Sequence, residues 1–119
     1  MHIGELLCAS PDPAAIVFTE WMPRQADNAV FTVDLIDAVL AQLTVKVFHK
    51  NAEETGSGSL AGTIVTADRT AGLKVVTVSG LKEMVRYQVE VVGSDANQLG
   101  GLLYRFLPAT WFNTARAAG

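Results

Sequence analysis

Hydrophobic and polar residues alternate most cleanly near the end of this chain. From Met84 to Val92, the residues Val85, Tyr87, Val89 and Val91 fall on one side and Arg86, Gln88 and Glu90 on the other. A period of two is the mark of a half-buried β-strand. It recurs at 43–49, where Leu43, Val45 and Val47 alternate with Thr44, Lys46 and Phe48. Runs rich in β-branched and aromatic residues at 14–21, 30–36, 60–66, 73–79 and 102–107 read as five further strands. A helix competes at one place: Val33, Ile36, Val39, Leu40 and Leu43 recur at helical spacing across 31–43.

Turn chemistry separates the runs. Pro11 and Pro13 precede the first strand and Pro23 follows it. The stretch 51–59, Asn-Ala-Glu-Glu-Thr-Gly-Ser-Gly-Ser, is polar, and its two glycines open backbone conformations that a continuing strand resists. Residues 67–72 suit a hairpin connection, 80–83 turn the chain, and 93–101 return it to a last strand that Pro108 is expected to stop. No long helical pattern intervenes. The expected fold is therefore a single all-β domain, an antiparallel two-layer β-sandwich of about seven strands, with terminal arms at 1–13 and 108–119. Tyr87 inside the penultimate strand gives the arrangement an immunoglobulin-like look. The likeness is architectural, because the cysteine pair of those domains and the Trp on the strand at 43–49 are absent.

At 119 residues the chain can bury a core without a metal or disulfide staple. Half of its residues are hydrophobic and 18% are charged, which suits a globular domain. Nine Lys and Arg are scattered along the chain against twelve Asp and Glu, for a net charge of -3, so no basic footprint for nucleic acid is expected. Cys8 is alone, cannot form an intrachain disulfide, and reads as a small hydrophobe. No apolar run approaches the ~18 residues of a membrane helix, and the segment before Cys8 lacks the basic and apolar regions of a secretory leader. The expectation is no membrane partner.

Candidate chemistry is sparse. His2, His49 and Cys8 lack the ligand spacing of zinc motifs, and Glu53, Glu54, Asp68 and Asp95 lack the alternating pattern of a calcium loop. Neither a metal nor another cofactor is expected. His49 reads as a polar strand end facing solvent. Ser57 and Ser59 sit in a glycine-rich loop with neither a nucleophile elbow nor a phosphate-binding lysine, so the chain is expected not to be an enzyme.

The C-terminal block is richer. Arg86 and Arg105 are lone basic residues in apolar strands, and each has two readings: a fork onto a carboxylate of a neighbouring strand or subunit, or an exposed strand-face cation. Trp111 and Phe112, placed after Pro108, either finish the domain's own core or plug into a partner. Arg105, Trp111 and Phe112 are the candidate partner-binding residues.

Three stretches carry a family resemblance: Phe48-His-Lys-Asn-Ala-Glu-Glu-Thr-Gly56, then Gly80-Leu-Lys-Glu-Met-Val-Arg-Tyr87, then Tyr104-Arg-Phe-Leu-Pro-Ala-Thr-Trp-Phe-Asn-Thr-Ala115. In this order, over about 42–115, the chain resembles small head-associated proteins of tailed bacteriophages. The resemblance implies a virion structural protein: a capsid decoration or cement protein with an immunoglobulin-like sandwich, on the outer surface of the major capsid protein and bridging its subunits. It implies a homo-oligomer located on the virion. A tail or head-completion subunit, or a free-standing immunoglobulin-like binding module, are the alternatives. The two arms are the expected attachment segments.

Overall fold

The computed structural model describes residues 7–9, 15–39, 41–93 and 101–113. Among them are nine strands: β1 Leu7–Ala9, β2 Ala15–Phe18, β3 Met22–Pro23, β4 Asn28–Val39, β5 Ala41–Lys50, β6 Ser59–Asp68, β7 Gly72–Val78, β8 Met84–Gly93 and β9 Gly101–Phe112. All pairings are antiparallel. One sheet runs β1-β9-β4-β7, and the other runs β2-β8-β5-β6 with β3 also on β8. The two sheets pack face to face around one core, so the chain forms the expected antiparallel two-layer sandwich.

The strand order is that of a jelly roll rather than an immunoglobulin domain. If β2 and β3 count as one interrupted strand, the first strand pairs with the last (β1·β9), the second with the seventh (β2·β8), the third with the sixth (β4·β7) and the fourth with the fifth (β5·β6). That is one long hairpin folded over and wrapped round a core, the jelly-roll solution to closing a sheet. In an immunoglobulin sandwich the consecutive strands A and B, D and E, and F and G stay in one sheet. Here most connections cross between sheets.

Side-chain alternation fills the space between the layers. Ala29, Phe31, Val33 and Leu35 of β4 and Leu102, Tyr104 and Phe106 of β9 are buried from one sheet; Leu43, Val45 and Val47 of β5 and Val85, Tyr87, Val89 and Val91 of β8 are buried from the other. The rings of Tyr87 and Phe106 stack across the layers, 4.2 Å between centroids at 19°. The helix that competed for 31–43 does not form. β4 keeps a period of two through Leu35, and Ile36, which helical spacing would have buried, is exposed.

Three further expectations change. The first strand is broken: β2 ends at Phe18 and β3 starts at Met22, and at the break the Thr19 Oγ1 accepts the Tyr87 N–H at 3.0 Å while the Thr19 N–H donates to the Tyr87 carbonyl at 3.0 Å. The hydroxyl takes over a ladder bond, which lets the chain kink without stranding a donor. Residues 67–72 do not close a hairpin, because β6 lies beside β5 and β7 beside β4, in different sheets. Their corner is pinned by the Ala67 N–H on Thr44 Oγ1 at 2.9 Å, the Thr70 N–H on Asp68 Oδ1 at 2.7 Å, and the Lys74–Asp68 ion pair at 3.0 Å.

Pro108 does not stop the last strand either. β9 continues to Phe112, and its register against β4 shifts between the pairs Thr32↔Leu107 and Val30↔Thr110. Two residues, Pro108 and Ala109, therefore stand opposite Phe31 alone. Such a bulge is one of the few places in a sheet where the missing proline N–H costs no ladder bond. The expected C-terminal arm is thus strand as far as Phe112, and part of the N-terminal arm is β1; residues 1–6, 10–14 and 114–119 lie outside the described residues.

Candidate interaction surface

β9 positions all three candidate residues, and it sends them in different directions. Successive strand residues face opposite ways. Trp111 turns inward, where its indole meets Phe31 edge-on, while Phe112 turns outward and is 41% exposed. Arg105 also faces outward, and its Nε donates to Asp34 Oδ2 of β4 at 3.2 Å, directly across the ladder. Arg105 meets both of its readings, since it is exposed on the strand face and also pairs with a carboxylate of the neighbouring strand. The structure does not bring Trp111 and Phe112 together.

The outer face of the β1-β9-β4-β7 sheet is sparingly polar. On β7, Leu73 is 63% exposed and Val75 is 59% exposed, with Thr77 between Val75 and the strand end. Register sets Val75, Thr32 and Leu107 in one row across β7, β4 and β9, with Leu73, Asp34 and Arg105 in a second row and Thr77, Val30 and Thr110 in a third. Phe112 lies at one end of this face and the exposed Ile36 towards the other. Scattered surface hydrophobics are ordinary, but neighbours gathered on one sheet face mark a contact surface.

The other sheet carries an aromatic and cationic cluster on its outer face. The guanidinium carbon of Arg86 lies 4.0 Å from the Phe18 ring centroid and 4.3 Å from that of Trp21. Lys50 Nζ is 4.8 Å from the Trp21 centroid, and Phe18 meets Phe48 edge-on at 5.8 Å. The Arg86 Nη2 donates to the Ser57 carbonyl at 3.3 Å, while its buried Nε has no hydrogen-bond partner. Arg86 is held by ring faces rather than by a carboxylate. Sequence reasoning singled out the arginine but missed its aromatic neighbours, which join it only through the β2–β8 pairing and the break after Phe18.

Gly58 makes room for this cluster. Its φ of +79° favours glycine, and a Cβ there would come 2.8 Å from the Trp21 indole and 2.7 Å from the His49 carbonyl oxygen.

His49 is not the solvent-facing end expected of it. Its Nδ1 accepts the Lys82 N–H at 3.2 Å, and burial, with the Lys82 charge adding to it, holds the imidazole below its ordinary pKa against an opposing pull from Glu54. Glu54 is used locally as well, accepting the Asn51 N–H at 3.0 Å and facing Lys82 at 3.7 Å. Asp68 belongs to the β6–β7 corner, Glu53 is exposed, and Asp95 and His2 lie outside the described residues. Among the described residues no three His, Cys, Asp or Glu side chains converge as a metal site would require.

Between the layers, where β3 and the far half of β9 face each other, opens an apolar cleft of about 310 Å³. Met22, Pro23, Pro108 and Trp111 form its walls, with Phe31 and Tyr87 reaching it from the core. Burial pushes the Tyr87 phenol up to about 12 and raises that of Tyr104 in the same direction. No protein-family model, curated protein or solved structure matches this chain. Its function therefore has to be argued from these surfaces.

Proposed function

We propose that this protein is a capsid decoration or cement protein of a tailed bacteriophage, a non-enzymatic virion component that binds the outer surface of the major capsid protein and bridges its subunits. The observation that carries the reading is the outer face of the β1-β9-β4-β7 sheet, with Leu73, Val75, Ile36 and Phe112 exposed on a rigid sandwich. A cement protein needs such a surface, because it acts by burying apolar area across neighbouring subunits. Arg105, held by Asp34 on the same face, adds an ion pair to this surface. The jelly-roll order adds no weight by itself, since one fold hosts many functions. The resemblance over 42–115 supplies the partner: the major capsid protein, met by several copies of this chain as a homo-oligomer on the virion.

The test is co-sedimentation of the purified protein with capsids lacking it. Leu73→Ser with Val75→Ser, and separately Phe112→Ser, should each lower occupancy while leaving the folded domain's thermal midpoint within a few degrees. Full occupancy by both variants overturns the reading. Copy number separates the neighbouring possibility, a tail or head-completion subunit, which would sit in rings of six or twelve. A free-standing binding module is favoured by one specific feature, the Phe18–Arg86–Trp21 cluster. It would be the better reading if Trp21→Ala abolished binding to a cell-surface extract and the sheet-face variants did not.

A further inference from the structure

Three segments of the chain are tied to the turn at 80–83. The Leu81 N–H donates to the Asp27 carbonyl at 2.8 Å, the Arg24 N–H donates to the Glu83 carbonyl at 2.9 Å, and the Gly80 N–H donates to Asn28 Oδ1 at 3.2 Å. Arg24 Nη1 also donates to the Leu81 carbonyl. On the other side Glu83 Oε1 accepts the Ala52 N–H at 2.9 Å and Lys82 Nζ faces Glu54 Oε1 at 3.7 Å, which joins the turn to the loop at 51–59. The third link is to β5, where the Lys82 N–H donates to His49 Nδ1 at 3.2 Å. Of these acceptors, only the imidazole stops accepting within a pH unit or two of neutrality.

Alternation puts His49 on the side of β5 that also carries the buried Leu43, Val45 and Val47. A neutral ring that accepts at Nδ1 carries its proton on Nε2, whereas the imidazolium has an N–H on both nitrogens and accepts nothing. Protonation therefore sets two N–H groups against each other and leaves the part-buried Lys82 N–H without its acceptor. The charges that act on the ring are Lys82, from the turn, which opposes protonation, and Glu54, from the loop, which favours it. Lys50 on the same strand donates to the Glu54 carbonyl at 3.2 Å. Glu53, Glu83, Arg24 and Asp27 are the other charged residues of the loop, the turn and the segment tied to it. Across the ladders the neighbours of His49 are Val85 of β8 and Ser59 of β6, both uncharged, and Arg86 beside Val85 belongs to the outer face.

We infer that the His49–Lys82 hydrogen bond is an acid-released latch: the neutral ring clamps the 80–83 turn to β5, and protonation of the ring loosens the turn and the 51–59 loop together while the sandwich stays folded. Burial and the Lys82 charge keep the latch shut through neutral pH, because they hold the folded ring below the ordinary value of about 6.5. As pH falls past that ordinary value the unfolded chain takes up a proton that the folded chain refuses, so stability is lost on acidification; below the folded value the bond itself opens. Release reaches the outer face as well. The same loop places the Ser57 carbonyl on Arg86 Nη2 at 3.3 Å and Gly58 against Trp21.

NMR of the whole chain tests the latch. The nitrogen shifts of neutral His49 should show its proton on Nε2. As the ring titrates, the Lys82 amide, corrected for the intrinsic pH dependence of exchange, should lose protection by about tenfold, while the amides of Val45 and Val47 at the centre of β5 keep theirs. His49→Asn offers an amide oxygen near the place of Nδ1 and has no proton to gain, so its Lys82 protection should not change over the same pH range. A neutral ring protonated on Nδ1, constant Lys82 protection through the titration, or an equal fall in His49→Asn each overturns the inference. Should His49→Asn fail to fold, the tautomer and the Lys82 exchange of the original chain still decide. No readout involves capsids, so the latch can fail while the proposed function stands.

Discussion

The indole of Trp111 meets the ring of Phe31 edge-on, with 5.8 Å between centroids and 82° between planes. Phe31 in turn meets Tyr87 edge-on at 5.9 Å, so Trp111 extends the central aromatic cluster out to the mouth of the cleft. Its neighbour Phe112 has no part in that cluster. Trp111→Ala should cost about 2–4 kcal/mol, below the full range for a buried aromatic because the ring is half-buried. Phe112→Ala should stay within about 0.5 kcal/mol, as exposed substitutions do. Urea titrations of the two variants check this, and equal losses would contradict the split between inward and outward side chains.

Gly62 holds the two sheets close at the β6–β7 side. A Cβ at this position would lie 2.9 Å from Val78 Cγ2, inside the distance that two carbon atoms tolerate. Gly62→Ala should therefore destabilise by about 1–3 kcal/mol through overpacking. Val78→Ala removes the obstructing methyl, so the double variant should lose less than the sum of the two single losses, with a coupling of about 0.5–3 kcal/mol. Additive losses would show that the clash is relieved by movement elsewhere.

Arg86 and Arg105 look alike in sequence and should behave differently. Two ring faces hold Arg86, each contact worth about 0.5–1 kcal/mol, and they depend on a planar guanidinium. Arg105 makes one ion pair from a side chain that is 44% exposed, the kind worth about 0–1 kcal/mol. Arg86→Lys should cost about 1–2 kcal/mol even in high salt, while Arg105→Ala should be nearly neutral and lose any small effect as salt rises. The reverse order in denaturant titrations would remove the stacking account.

Local pattern and long-range pairing were not equally legible. The inner face of β8 could be read directly, because Val85, Tyr87, Val89 and Val91 alternate with polar residues and all four are buried. The same held for β5, whose Leu43, Val45 and Val47 are fully covered. What alternation cannot encode is which strands become neighbours. The jelly-roll order rests on pairs such as β1 with β9, formed between opposite ends of the chain, and composition carries no trace of them. Pro108 misled for a related reason: alone it signals a strand end, and only the shift against β4 turns it into a bulge. The Arg86 cluster was hidden because Phe18 and Trp21 reach it only after Thr19 replaces a ladder bond. In the candidate site, the sequence left Arg105 between two readings, and the divergence of Trp111 and Phe112 needed the strand to run past Pro108.

Tyr87 makes the protein sensitive to alkali. Burial pushes its phenol up to about 12, whereas an exposed phenol in the unfolded chain ionises near 10. Below that value both states hold the proton, and the stabilisation is complete. Between the two values the unfolded chain gives up its proton while the folded chain keeps it, so stability falls as pH rises. A gap of this size corresponds to about 2–3 kcal/mol. Tyr104 is shifted the same way and should add a smaller part. The urea midpoint should be flat up to about pH 9.5 and decline above pH 10. Tyr87→Phe keeps the ring against Phe106 and Phe31 but has no proton to lose, so its decline should be shallower without disappearing. A variant whose midpoint falls as steeply as that of the original chain would show that other groups govern the alkaline limb.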